Sequence, residues 1–352
     1  MSGSSGRPID RRRFLKYAGA GLAAGSLLAS CSPTGGGQSG QNLRKVTFLF
    51  DVTPYGKHGL FYTALDKGFW RENGLDVTIQ SAQGSGDNVT KIGAKAAEFG
   101  FADTGALILG RAKGARVKEI AMVHYKNLMM VVALKKFGIN TPKDLEGHTF
   151  ASTAADAGRV LLPAWAKIAG FDDTKVNLIT VDQAAKPGSM VAGQTQGALD
   201  YYTAFPAYVS TAKQQNEDVN AILYADYGMD IYNNGVIVHE DTMQGSPDLV
   251  RGFLNGVIKG IVYAVEHPDE ATDITLKYNP GLSKETARAQ LQIAIDDVMV
   301  DEVRRNGVGP MSQDKMQFTL DTISAAYPLE RTVTLDEIYT NDFVPKGQIP
   351  KV

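Results

Sequence analysis

The sequence predicts an α/β protein of two lobes, each a mixed sheet flanked by helices, with a cleft between them. Three observations carry that prediction. From Lys45 onward, short β-rich runs alternate with amphipathic helical stretches. Two apolar segments, 129–134 and 235–239, stand where the chain reads as passing from one lobe to the other and back. The length of 352 residues, 43% hydrophobic and 21% charged, favours two domains with sizeable cores over one small unit.

Taken in order, Val46 to Phe50 reads as a strand, followed by a polar loop from Asp51 to His58 and a helix ending near Trp70. Leu75 to Gln80 is the second strand. Residues 83–88 form a glycine-rich turn that starts a helix, and Phe99 to Asp103 is a short strand closed by Thr104-Gly105. A further helix and strand follow through Leu109 and Ile120. The apolar strand 129–134 and the polar turn 140–147 read as the first crossing. The second lobe then contains strands at 148–152, 176–181 and 198–203, with a helix opening at 152–159. After the second crossing, Pro247 to His267 places Leu249, Phe253, Leu254, Val257, Ile258 and Ile261 on one helical face. The expected division is 44–134 with 236–345 as lobe 1 and 135–235 as lobe 2.

The N-terminus differs from the rest. Arg11, Arg12, Arg13 and Lys16 precede a small-residue apolar run from Ala18 to Ala29, too short for the ~20 residues of a spanning helix. Residues 10–16, Asp-Arg-Arg-Arg-Phe-Leu-Lys, resemble the twin-arginine export motif. Leu28-Ala29-Ser30-Cys31 is similar to a bacterial lipobox, in which the only cysteine becomes a lipidated N-terminus. The expectation is an export signal over 1–30, a flexible tether over 31–43 and a lipid-held protein facing the periplasm or the cell exterior.

Composition also excludes functions. With 36 Lys and Arg against 38 Asp and Glu, no basic field argues for nucleic acid. The sequence carries no G-x-S-x-G, P-loop, H-E-x-x-H or C-x-x-C motif, and its five histidines include no i,i+4 pair. No metal, cofactor or catalytic residue is expected.

The residues 59–77 include Ala64-Leu65-Asp66-Lys67-Gly68-Phe69-Trp70 and Gly74-Leu75-Asp76-Val77. Together with Ala97-Glu98-Phe99-Gly100 and Asp144-Leu145-Glu146-Gly147, this order resembles the periplasmic substrate-binding proteins of ABC importers that serve nitrate, sulfonate, taurine and thiamin-pyrimidine uptake. The resemblance implies a type II periplasmic binding fold and a monomeric receptor that hands a small solute to a membrane permease driven by a separate ATPase. The first loop, Asp51-Val52-Thr53-Pro54-Tyr55-Gly56-Lys57-His58, is similar to the D-W-x-P-N-x-x-H loop of the pyrimidine-binding branch. Asp51, Pro54 and His58 match; Val52 and Tyr55 depart from it. That branch implies a pyrimidine-like or aromatic solute, with a sulfonate, taurine or nitrate, or an exported pyrimidine-related enzyme, as alternatives.

Loops at the carboxyl ends of strands face the cleft in such folds. The expected ligand-binding residues are Asp51, Thr53, Tyr55, His58, Gln83 and Ser85, then Asp103, Thr104, Ser152, Thr153, Asp156 and Arg159, and finally Tyr201, Tyr202, Tyr232 and Asn233. Several admit plainer roles. Asp51 and Asp103 suit turn or helix caps, His58 a helix entry and Arg159 a surface ion pair, while Tyr201 and Tyr202 must point to opposite faces of a strand.

Overall fold

A computed structural model describes residues 43–351. The expected export signal, Cys31 and all but the last residue of the expected tether lie outside the described residues. Among the described residues, ten strands form two five-stranded sheets. In chain order they are β1 (Arg44–Phe50), β2 (Leu75–Ser81), β3 (Phe99–Asp103), β4 (Val117–Met122) and β5 (Met129–Leu134), then β6 (Thr149–Ser152), β7 (Asn177–Thr180), β8 (Gly197–Tyr201), β9 (Val219–Leu223) and β10 (Asn234–His239). The strand orders are β2-β1-β3-β10-β4 and β7-β6-β8-β5-β9. Both sheets therefore have the same layout. Each is parallel except for one strand, β10 or β5, inserted antiparallel between its neighbours.

One expectation is corrected here. The strand 129–134, expected in the first lobe, is β5 and pairs antiparallel with β8 and β9 in the second sheet. All six residues of Met-Met-Val-Val-Ala-Leu are buried. A strand apolar on both faces suits the interior of either sheet, so only long-range pairing decides which one receives it. The chain thus changes sheets at 123–128 and again at 229–233.

The helices that matter below are α1 (Gly59–Asp66), α2 (Ser85–Gly93), α3 (Thr104–Ala112), α4 (Ala157–Ala169), α5 (Lys186–Val191), α6 (Phe205–Lys213), α7 (Glu240–Gly245), α8 (Pro247–Glu266), α9 (Pro268–Tyr278) and α10 (Lys284–Val298). The predicted amphipathic helix is α8. It lies directly on α1 because Gly256 and Gly260 carry no side chain: a Cβ there would sit 2.2 Å from Trp70 Cδ1 and 2.6 Å from Ala64 Cβ. Trp70 fills the interface and donates its indole N–H to the Phe253 carbonyl at 3.0 Å. Phe48 meets Phe50, Phe61 and Phe253 edge-on, and Phe99 stacks on Phe253 at 3.8 Å. Each such ring contributes roughly 1.5–3 kcal/mol through burial. Among the described residues, no helix is long and apolar enough to cross a membrane.

Helix α10 has a particular place. Although it follows the second crossing, it packs against the turn Gly56–His58 and also against Tyr202–Ala204 and α6. It therefore closes one side of the space between loops of the two sheets.

Candidate functional site

The loops that follow β1, β2 and β3 meet those that follow β6 and β8. Gly84 has φ +124°, and a Cβ on it would lie 2.2 Å from the Ala155 carbonyl oxygen. Glycine is required there both for conformation and for approach. The neighbouring Gly86 N–H donates to Ala155 O at 3.2 Å. Tyr55 Oη and Thr203 Oγ1 are 2.9 Å apart, and Ser85 Oγ and Tyr201 Oη 3.2 Å apart.

Asp51, at the end of β1, is the centre of a buried polar cluster. Its Oδ2 accepts from Lys57 Nζ at 2.6 Å and Asn234 Nδ2 at 3.1 Å, and its Oδ1 pairs with His58 Nε2 at 3.0 Å. The Tyr55 backbone N–H donates to His58 Nδ1, so Nε2 carries the imidazole proton and donates to Asp51. Burial would raise the Asp51 carboxyl, but the Lys57 charge and then the His58 hydrogen bond hold it below the usual carboxylate range. Burial pushes the His58 imidazole down to about 4 against the pull of Asp51. The same desolvation lowers Lys57, opposed by Asp51.

A second cluster belongs to the other sheet. Lys186 Nζ lies 2.6 Å from Asp156 Oδ2 and donates to Leu199 O at 2.9 Å. Asp156 also caps α4 by accepting from Gly158 N. Asp200 accepts from both Gln183 Nε2 and Tyr208 Oη. Burial raises the Asp200 carboxyl, with Lys186 opposing it.

Two adjoining cavities open beside these clusters. One, of about 280 Å³, is lined by Tyr55, Gln183, Asp200, Tyr208, Leu282 and Gln290, among others. The other, also about 280 Å³, shares Thr53, Gln183 and Ala184 with it and adds Gln83 and Thr153.

The structure gathers most of the expected residues. Asp51, Tyr55, His58, Ser85, Asp103, Tyr201 and Asn233 join one buried polar layer, and Ser152, Thr153 and Asp156 lie at the facing loop. Thr53 and Gln83 are exposed at the cavity walls. Asp103 caps α3 by accepting from Ala106 N and holds Asn233 Nδ2 at 3.1 Å. Burial raises its carboxyl to about 7, against the backbone N–H groups of Ala106 and Gly105.

Four residues are placed elsewhere. Thr104 donates to buried Glu119 and to Asn233 O, beneath the layer. Tyr202 lies just past the end of β8, in the short helical turn Tyr202–Ala204, and stacks on Phe205. Tyr232 points its hydroxyl to Glu302 and Ser312, because the 229–233 crossing turns it toward the C-terminal helices. Arg159 lines neither cavity, and its Nε and Nη2 are buried without a partner among the described residues. The sequence reading missed Lys57, Gln183, Lys186 and Gln290 as site residues. Lys57 lies inside the singled-out first loop, whereas Gln290 reaches Gly56 from 234 positions away, with no local signal.

Two mixed sheets of identical layout, joined by paired crossings with polar loops facing each other, define the periplasmic binding protein fold. Within that class, the chain belongs to the NMT1/THI5-like family, whose pattern matches residues 56–271. It is 25% identical over 325 residues to the formylaminopyrimidine-binding protein of Halalkalibacterium halodurans, covering 91% of this chain and 96% of that one. It is 23% identical over 245 residues to the 4-amino-5-hydroxymethyl-2-methylpyrimidine phosphate synthase of Legionella pneumophila, covering 68% and 75% respectively. In fold it is similar to the alkanesulfonate-binding protein SsuA of Xanthomonas axonopodis pv. citri, with a TM-score of 0.66, 11% identity and coverage of 84% and 98%.

Proposed function

We propose that this protein is the exported, lipid-anchored solute receptor of an ABC importer and that its solute is a small planar, pyrimidine-like compound. The observation that carries the reading is the chemistry of the larger-walled cavity. Its lining contains Asp200, Tyr55, Tyr208 and two glutamines, and no lysine, arginine or histidine. A sulfonate, taurine or nitrate group needs donors and positive charge, and next to Asp200 it would meet a carboxylate instead. A neutral ring with polar edges suits the tyrosines and amides. The relative named for formylaminopyrimidine supports the same class.

Receptor rather than synthase follows from His58. Its Nδ1 is held by Tyr55 N and its Nε2 by Asp51, so neither nitrogen is poised to take a proton from a solute. In this reading the lobes are joined at 123–128 and 229–233 and close around the solute. A solute touching both lobes favours the closed form by its differential affinity, and a permease with a separate ATPase reads that shape. Cys31 carries the lipid, 31–43 is the tether, and the receptor works as a monomer.

A thermal-shift panel of the purified protein against aminopyrimidines, aromatic acids, taurine, ethanesulfonate and nitrate tests the reading. At 100 times its dissociation constant, a ligand stabilises the native state by about 2.7 kcal/mol. A saturable rise with a pyrimidine that is recovered unchanged is the expected result. A rise with sulfonates alone, or chemical conversion of the pyrimidine, overturns it.

A further inference from the structure

We propose that Gln183 and Gln290 are a specificity-determining pair that reads one donor and one acceptor on the edge of the bound ring. The inference rests on the receptor reading and adds to it the hydrogen-bonding pattern of the solute.

Both amides have their orientation fixed by protein partners. Gln183 Nε2 donates to the two Asp200 oxygens at 2.9 and 2.8 Å. A carboxylate accepts only, so the nitrogen must face it and Oε1 is the free end. That oxygen is buried and has no partner among the described residues. Gln290 is fixed with the opposite sense. Its Oε1 accepts from the Gly56 backbone N–H at 2.9 Å, which only an oxygen does, and leaves Nε2 as the free end. Nε2 donates to no acceptor among the described residues, although the residue is only 2% exposed.

The two side chains come from different parts of the fold and line the same cavity. Gln183 stands before α5 in the second lobe, whereas Gln290 is on α10. Its seat depends on Gly56, where a Cβ would lie 2.4 Å from Ala287 O and 2.5 Å from Gln290 Cβ. Leaving the buried Gln183 acceptor unpaired is costly, and a solute that donates to it while accepting from Gln290 Nε2 recovers that cost. A site built this way rejects an analogue lacking one of the groups more strongly than a purely apolar pocket rejects a missing methylene. The complementary solute is a neutral ring with an amino group beside a ring nitrogen, the amino N–H facing Gln183 Oε1 and the ring nitrogen accepting from Gln290 Nε2. A sulfonate offers acceptors alone.

The test uses 4-amino-5-hydroxymethyl-2-methylpyrimidine, the pyrimidine in the Legionella relative's name, and its analogue with hydrogen in place of the amino group. Calorimetric titration of the wild-type protein is expected to favour the amino compound by about tenfold or more. Gln183→Leu is expected to erase that preference. Gln290→Glu turns an oxygen toward the ring nitrogen and is expected to weaken both compounds by about tenfold when titrated at a temperature where the variant is folded. If the wild type binds the amino compound but both variants keep its affinity and preference within about twofold, the pair does not read the ring and this inference falls alone. If the wild type binds neither pyrimidine, the solute reading falls and takes the pair with it. Should Gln290→Glu fail to fold, the preference lost or kept by Gln183→Leu decides.

Discussion

The ammonium of Lys57 lies 3.8 Å above the ring of Tyr201, with Phe101 and Tyr55 at 5.3 and 5.4 Å. Lys57 follows β1 in one sheet and Tyr201 ends β8 in the other. The contact therefore spans the two lobes, and the charge that Asp51 holds on one side is covered by an aromatic face from the other. Such an arrangement is worth ~2 kcal/mol when desolvated. Opening the lobes gives up this contact, while the Lys57–Asp51 pair stays within one loop.

Replacing Lys57 with Met keeps the bulk and removes the charge. Asp51 then remains buried with His58, Asn234 and the Val52 backbone N–H as partners but no cation charge beside it. Breaking a buried pair on one side costs about 3–5 kcal/mol, so urea unfolding of Lys57→Met is expected to show a loss of that order. Adding Asp51→Asn should recover much of it, and a double variant no more stable than the single one would contradict the pairing.

His58 is expected to stay neutral through the physiological range. Its folded pKa of about 4 lies below the ordinary 6.5, so the folded state binds fewer protons between those values. The resulting stability is present above about 6.5 and is lost as pH falls through about 4. Proton–nitrogen NMR of the imidazole should show the Nε2–H tautomer at pH 6, and a charged ring there would refute it.

Asp103 acts with the opposite sign. Burial raises its carboxyl from 3.8 to about 7, so the folded state retains a proton that the unfolded chain releases. Its contribution is present below about 4 and lost as pH rises through about 7. Asp103→Asn can still accept from Ala106 N. It is expected to flatten this part of the pH–stability curve, with the melting temperature gaining relative to wild type at pH 8 and little at pH 4.

Gly84→Ala places a methyl group where Ala155 O now sits, at a φ of +124° that a side chain disfavours. The loops would be forced apart across the cleft. Small-angle scattering is expected to show a larger radius of gyration for this variant than for wild type at saturating solute, together with weaker binding. Unchanged dimensions and affinity would mean that the close approach at Ala155 is not needed for closure.

Much of the architecture was legible before any coordinate. The alternation of β-rich and amphipathic runs placed β1, β2, β3 and β6 within a residue or two, because a period of two or 3.6 is written locally. The position of Asp51, Ser85, Tyr201 and Asn233 at strand ends likewise led to the buried layer where they now meet. Strand β5 was misplaced for the complementary reason: a run apolar on both faces carries no mark of the sheet that receives it. Tyr232 is expected in the site from its position just before the second crossing, but the direction of a side chain at a crossing is set by what packs around it.

By itself, the sequence determined the two-lobed α/β class, the family, the first loop and the strand-end residues, since local periodicity and short ordered motifs specify these. Only the tertiary structure decided that Lys57 is caged by aromatic rings from both lobes, that Lys186 supports Asp156, and that Gln290 and Gln183 line one cavity. Those relations join residues tens to hundreds of positions apart. They depend on strand pairing and on helix packing at glycines such as Gly56, where the absence of a single Cβ sets the distance between elements.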